Sequence, residues 1–133
     1  MSGDFTTTDG RGMLAVRALA MPSDTNPSGD IFGGWLLAQM DVAAGIVAYE
    51  RAEGRVATVG IDAMTFHKPV HVGDLLSCYA RVVATGTTSM SIHVESWVRR
   101  HRDGRDEKVT EGRFTLVAID GYGNKRPVPH VTD

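Results

Sequence analysis

The sequence predicts an α+β protein in which one long central helix is wrapped by a curved antiparallel β-sheet. Three observations carry this reading. A single long run is apolar on every side, almost everything after it alternates with period two, and the connections are short enough to leave neighbouring strands antiparallel. At 133 residues the chain has the size of one domain, and such a chain holds a core without disulfides or metal.

Leu14, Val16, Ala18 and Ala20 alternate with Ala15, Arg17, Leu19 and Met21 to give the first strand, and Pro22 stops it. Pro22 to Asp30 is a dense cluster of turn formers. From Ile31 to Tyr49 the only strongly polar side chains are Gln39 and Asp41, in a run rich in Leu, Ala and Met. That composition predicts the one long helix, with Asp30 capping its start and Glu50 to Gly54 ending it. An aspartate near its middle would cost about 2.5–3.5 kcal/mol in a bilayer, so the run does not span a membrane. A helix apolar all round is expected to be surrounded by protein.

Val56 to His67, bounded by Pro69, is dense in β-branched residues and reads as the second strand. Leu76, Cys78, Ala80, Val82 and Ala84 put one apolar face on the third, with Ser77 and Arg81 opposite, and Gly86 turns the chain. Met90, Ile92, Val94 and Val98 alternate with Ser91, His93, Glu95 and Arg99 in the fourth. The charged run from Arg99 to Lys108, with Asp103-Gly104 at its middle, is the next turn. Phe114, Leu116 and Ala118 close the set, and a Pro-rich tail from Arg126 is expected on the surface.

Fourteen Lys and Arg against sixteen Asp and Glu give a net charge of -2, which excludes the electrostatic attraction that nucleic-acid binders need. The lone cysteine, Cys78, and a polar start without a basic-then-apolar leader predict a reduced, cytoplasmic protein. His71, His93, His101, His130 and Cys78 show no ligand spacing, so no metal is expected. Gly-x-Ser-x-Gly, Walker and dinucleotide motifs are missing, which removes those chemistries.

Asp41 is the outstanding polar residue, because an ionised carboxylate is almost never fully buried unless something pairs with it. No cation stands three or four positions away on either side, which leaves a structural carboxylate or a catalytic one. Gly33 and Gly34 are poor helix formers in the first helical turn. They serve either close packing or the approach of a ligand to free helix N–H groups. Asn26, just before this helix, is a turn former or a ligand donor. Phe66, His67 and Lys68 at a strand end, and Thr87, Thr88 and Ser89 in a hairpin turn, are candidate substrate-binding residues or ordinary surface turns.

The run Pro22-Ser23-Asp24-Thr25-Asn26-Pro27-Ser28-Gly29-Asp30-Ile31-Phe32-Gly33-Gly34-Trp35, followed by Met40-Asp41-Val42-Ala43-Ala44-Gly45, resembles the hotdog-fold acyl-CoA thioesterases of the YciA-like and brain acyl-CoA hydrolase group. Asp62-Ala63-Met64-Thr65-Phe66-His67-Lys68-Pro69-Val70 with Val72-Gly73-Asp74 is similar to that group too. The resemblance covers about residues 14 to 125 and implies a single hotdog domain over 1–133. It implies hydrolysis of fatty acyl-CoA to free acid and CoA, with Asp41 as general base or nucleophile and backbone N–H groups around Gly33 and Gly34 polarising the carbonyl. It implies no cofactor beyond the CoA of the substrate. It also implies a homodimer in which Asn26 works with the aspartate of the neighbouring subunit, assembling further to a tetramer or hexamer. Two other readings stand beside it: a non-catalytic acyl-CoA binding or sensing module, and an enoyl-CoA hydratase. Asp24-Thr25-Asn26-Pro27-Ser28 matches five places of the hydratase signature, but Gly29 stands where that signature has its histidine base.

Overall fold

The computed structural model describes residues 10–100 and 104–130, so His101 and Asp103 lie outside the described residues. Its elements are β1 (Met13–Leu19), one 3₁₀ turn (Pro22–Asp24), α1 (Gly33–Ala52), β2 (Val56–Phe66), β3 (Leu75–Thr85), β4 (Ser89–Arg99) and β5 (Asp106–Ala118). The five strands form one antiparallel sheet in the order β1-β3-β4-β5-β2. The segment holding α1 therefore carries the chain from one sheet edge to the other, while β3, β4 and β5 follow one another as neighbours. The helix touches all five strands.

The core forms where one side of α1 meets the inner face of the sheet. Leu36, Met40, Ala43, Ala44, Val47 and Ala48 recur at helical spacing and are buried, and Leu76, Met90, Ile92, Phe114 and Leu116 meet them from the strands. The small residues on this face let the helix approach the sheet closely. The other side of α1 is different. Val42, Ile46 and Tyr49 are exposed, Tyr49 by 56%, so one protomer does not surround its helix as the apolar pattern suggests. The five strands that the chain supplies reach round one face only.

Several boundaries differ from expectation for physical reasons. Ile31 and Phe32 stay extended, held by the Ile31 amide on the Val70 carbonyl (3.2 Å), so α1 starts at Gly33. Asp30 does not cap the helix: Phe32 is the N-cap residue and no side chain caps it. β5 begins at Asp106 rather than inside the Phe114 stretch, because the charged residues form cross-strand pairs such as Arg99 Nε to Asp106 Oδ1 (3.2 Å). The tail from Arg126 lies on the surface as expected, with Pro127 and His130 exposed, and is also docked there. Val128 is buried, its amide bonds the Thr87 carbonyl (2.8 Å), and Arg126 Nη2 donates to the helix-end carbonyl of Ala52 (2.9 Å).

β2 is an edge strand, exposed along most of its length, and it contains two irregularities. The register against β5 slips between Thr58 and Gly60 and again between Asp62 and Thr65. Each extra residue reverses the inward and outward alternation. Thr58, Ile61 and Phe66 consequently sit opposite Leu116, Phe114 and Thr110, three buried residues, and all face the helix side. Ala63, with φ of 52°, forms the second bulge.

The connection after β2 is pinned by Arg100. Its guanidinium binds the buried Asp74 (2.5 Å), Glu107 (2.7 Å) and the Pro69 carbonyl (3.1 Å), while the His71 amide donates to Asp74 (2.9 Å). Arg100→Ala leaves Asp74, 3% exposed, without its charge partner. That should cost about 3 kcal/mol in urea unfolding. A loss within experimental error of zero would show that the clamp contributes nothing.

Candidate functional site

Asp41 lies in the third turn of α1 and is half-buried. Its Oδ1 accepts a hydrogen bond from Thr58 Oγ1 at 2.7 Å, and no cation pairs with it among the described residues. The structural-carboxylate reading required a distant Arg or backbone amides, and neither bonds Asp41 among the described residues. Thr58 escaped the sequence analysis. A threonine in a strand of β-branched residues looks ordinary, and only its pairing with the buried Leu116 of β5 reveals that it faces the helix side.

Gly33 and Gly34 open the helix. Their N–H groups have no acceptor among the described residues, and no side chain caps them. A Cβ at Gly34 would meet nothing within 4 Å, and one at Gly33 only Phe66 Cε1 at 3.9 Å. Packing within the protomer therefore does not require glycine here. What their presence secures is unobstructed access to two amides at the positive end of a helix dipole.

A cavity of about 240 Å³ lies beside Gly33, lined by Ile31, Phe32 and Leu36 on one side and by the segment Phe66 to Val70 on the other. The structure thus joins Phe66, His67 and Lys68 to the glycine pair. Both side chains are already engaged: His67 Nε2 hydrogen-bonds Glu111 at 2.7 Å, and Lys68 Nζ is 3.3 Å from Glu107. Each basic side chain at the cavity mouth therefore faces a carboxylate.

Asn26 is a turn former in the protomer. Its Oδ1 accepts from the amides of Ser28 (2.9 Å) and Asp30 (3.1 Å), while its side-chain NH₂ donates to nothing among the described residues. No hydrogen bond joins Asn26 to Asp41 within one chain. Thr87, Thr88 and Ser89 stand at the other end of the sheet. Ser89 pairs with Val117 and Phe66 with Thr110, about 24 Å apart along β5. There the carbonyls of Thr87 and Thr88 anchor Val128 and Ala118. Cys78 is buried against Ser96, and burial pushes its thiol up to about 11, far from a reactive thiolate. No group of three or more metal-ligating side chains occurs among the described residues.

Comparison with known proteins places this geometry. Residues 28–104 match the thioesterase superfamily. The chain is 52% identical over 122 residues to the acyl-CoA thioester hydrolase YciA of Salmonella typhimurium, covering 90% of this chain and 92% of that one. A hexameric hotdog fold thioesterase of Campylobacter jejuni superposes with a TM-score of 0.86 at 41% identity, over 90% of this chain and 92% of that one. An acyl-CoA hydrolase from Staphylococcus aureus, solved with butyryl coenzyme A, has a TM-score of 0.80 at 32% identity, over 88% of this chain and 71% of that one. Further structures of that enzyme carry alanine in place of one asparagine or one threonine.

The hydrogen bond from His67, with Lys108 adding to it, holds the Glu111 carboxyl below its ordinary 4.5. A carboxylate depressed on folding contributes stability above its unfolded value and loses it as the pH falls through the folded one. Glu111→Gln should therefore lose less thermal stability than the parent when the pH is lowered below about 4.5. Parallel pH profiles for the two proteins would show that the pair contributes no stability.

Proposed function

The chain belongs to the thioesterase superfamily and has the hotdog fold, and on that premise we propose how it works as an acyl-CoA thioester hydrolase. The substrate is fatty acyl-CoA, the products are the free acid and CoA, and the reaction uses no cofactor. One observation carries the mechanism. Asp41, eight residues after Gly33 on one straight helix, is about 12 Å from it along the axis. Groups that act on a single carbonyl must all lie within about 3 Å of the reacting atoms. The amides of Gly33 and Gly34 and the carboxylate of Asp41 that serve one thioester therefore come from two chains.

Two antiparallel helices, related by a two-fold axis, satisfy this requirement. Each brings its Asp41 toward the other's Gly33, and the exposed Val42, Ile46 and Tyr49 become the covered contact. The exposed edge of β2 offers unpaired backbone groups to the same partner. The free NH₂ of Asn26 then faces the neighbour's Asp41. The C. jejuni relative is a hexamer, which supports three such dimers over two. The chain acts in the cytoplasm, where the single buried Cys78 stays a thiol.

In the reaction the Gly33 and Gly34 amides polarise the thioester carbonyl and hold the oxyanion as it forms. Asp41 of the opposing chain, oriented by Thr58, either attacks the carbonyl carbon or takes a proton from the water that does. In both cases the carbon–sulfur bond breaks and the CoA thiolate leaves without strong acid assistance; on the first route water then hydrolyses the acyl-aspartyl anhydride to the free acid and restores Asp41. The asparagine and threonine replaced in the S. aureus enzyme stand as far apart in its sequence as Asn26 and Thr58 do here, which supports a shared role.

Asp41→Ala should lower thiol release from acyl-CoA by 10²- to 10⁴-fold with the fold and CoA affinity retained, and unchanged turnover would refute the mechanism. Thr58→Ala removes one hydrogen bond to a charged group and should cost about tenfold in kcat, with Thr58→Ser recovering most of it. Equal losses in both variants would count against orientation by the hydroxyl. Ile46→Glu with Tyr49→Glu should give monomers by light scattering that release no thiol; an active monomer would contradict the shared site.

A further inference from the structure

The cavity beside Gly33 is apolar on both walls, with Ile31, Phe32 and Leu36 facing Phe66, Pro69 and Val70. Its only basic lining side chains, His67 and Lys68, each face a carboxylate, Glu111 and Glu107. A site for the CoA phosphates would need uncompensated cations, and this cavity offers none. It suits the uncharged end of the substrate. Phe66 and Phe32 are 57% and 49% exposed, large aromatic surfaces for a chain to cover.

Phe66 is aimed at the cavity by the second bulge of β2. Without the extra residue at Ala63, the alternation would carry Phe66 to the outer face of the sheet. The bulge puts it opposite Thr110, on the helix side, with its ring 3.9 Å from where a Gly33 side chain would begin. Met64 holds the bulge down by lying over Gly112, where a Cβ would come within 2.6 Å of its Cε. The strained φ of 52° at Ala63 is the cost of this placement.

We infer that the acyl chain of the substrate enters this cavity and that Phe66, set by the Ala63 bulge, is the residue that limits its length. The inference rests on the thioesterase reading and adds the location and size of the acyl group. The cavity is small, about 240 Å³, and Phe66 forms part of its wall. Short acyl groups fit with the carbonyl at the Gly33 amide, and longer ones meet the phenyl ring.

The test is thiol release by the intact enzyme on saturated acyl-CoA substrates from two to sixteen carbons, compared with Phe66→Leu and Phe66→Ala. The parent's kcat/KM should rise with chain length and then fall before sixteen carbons is reached. Phe66→Ala should raise the ratio of twelve-carbon to four-carbon kcat/KM by about tenfold, with Phe66→Leu between. Inhibition by free CoA should be the same in all three. A uniform change at every length, or weaker inhibition by CoA, would place Phe66 on the CoA portion and overturn the inference. An unchanged length profile in the well-folded Leu variant would also overturn it. A parent enzyme that releases no thiol from any acyl-CoA would instead refute the function itself.

Discussion

One helix carries apolar residues on two sides, and the sheet of its own chain covers only one of them. Most of the molecule's organisation follows from this. The buried side, from Leu36 to Ala48, fixes how the strands wrap. The uncovered side, with Val42, Ile46 and Tyr49, leaves exposed apolar surface that water disfavours and a second chain can bury. The same helix sets the spacing of the chemistry. Its rise of 1.5 Å per residue separates Gly33 from Asp41 by about 12 Å, too far for one chain to act on one carbonyl. In the proposed dimer, the hydrophobic requirement and the catalytic requirement are met by a single antiparallel pairing.

Much of this was legible in the sequence because it depends on periodicity. The order of one strand, one long helix and four strands followed from alternation, and the meander of β3, β4 and β5 from short connections. Asp41 was legible because a carboxylate in an apolar run needs an explanation, and Gly33-Gly34 because glycine weakens a helix start. Three features were not legible, each because it depends on long-range packing. The bulges of β2 decide that Ile61 shares a face with Thr58 and Phe66, yet nothing local distinguishes Ala63 from its neighbours. The tail docks because Arg126 finds the carbonyl of Ala52, 74 residues away in the chain. Asp30 fails as a cap because Ile31 is drawn onto Val70 before the helix begins.

The electrostatics around the cavity follow the same economy of parts. Arg100 ties β4 to the connection after β2 through Asp74, Glu107 and Pro69, so one side chain helps to hold the wall that carries Phe66 to Val70. His67 and Lys68 are drawn to Glu111 and Glu107, so each basic side chain at the cavity mouth faces a carboxylate. Asp41, by contrast, has a hydroxyl and no countercharge among the described residues. Charge is paired along the cavity walls and left unpaired at the helix carboxylate.

The central claim is that each site draws on two chains, and mixing inactive variants tests it most directly. Asp41→Ala and Asn26→Ala protomers are dissociated, combined in equal amounts and reassembled, and thiol release is measured. Half of the random dimers then pair unlike chains, and each of those holds one site with both residues intact, so activity should return to about one quarter of the parent's. No recovery, with hybrid assemblies demonstrated by mass, would place Asn26 and Asp41 of a site in the same chain and contradict the account.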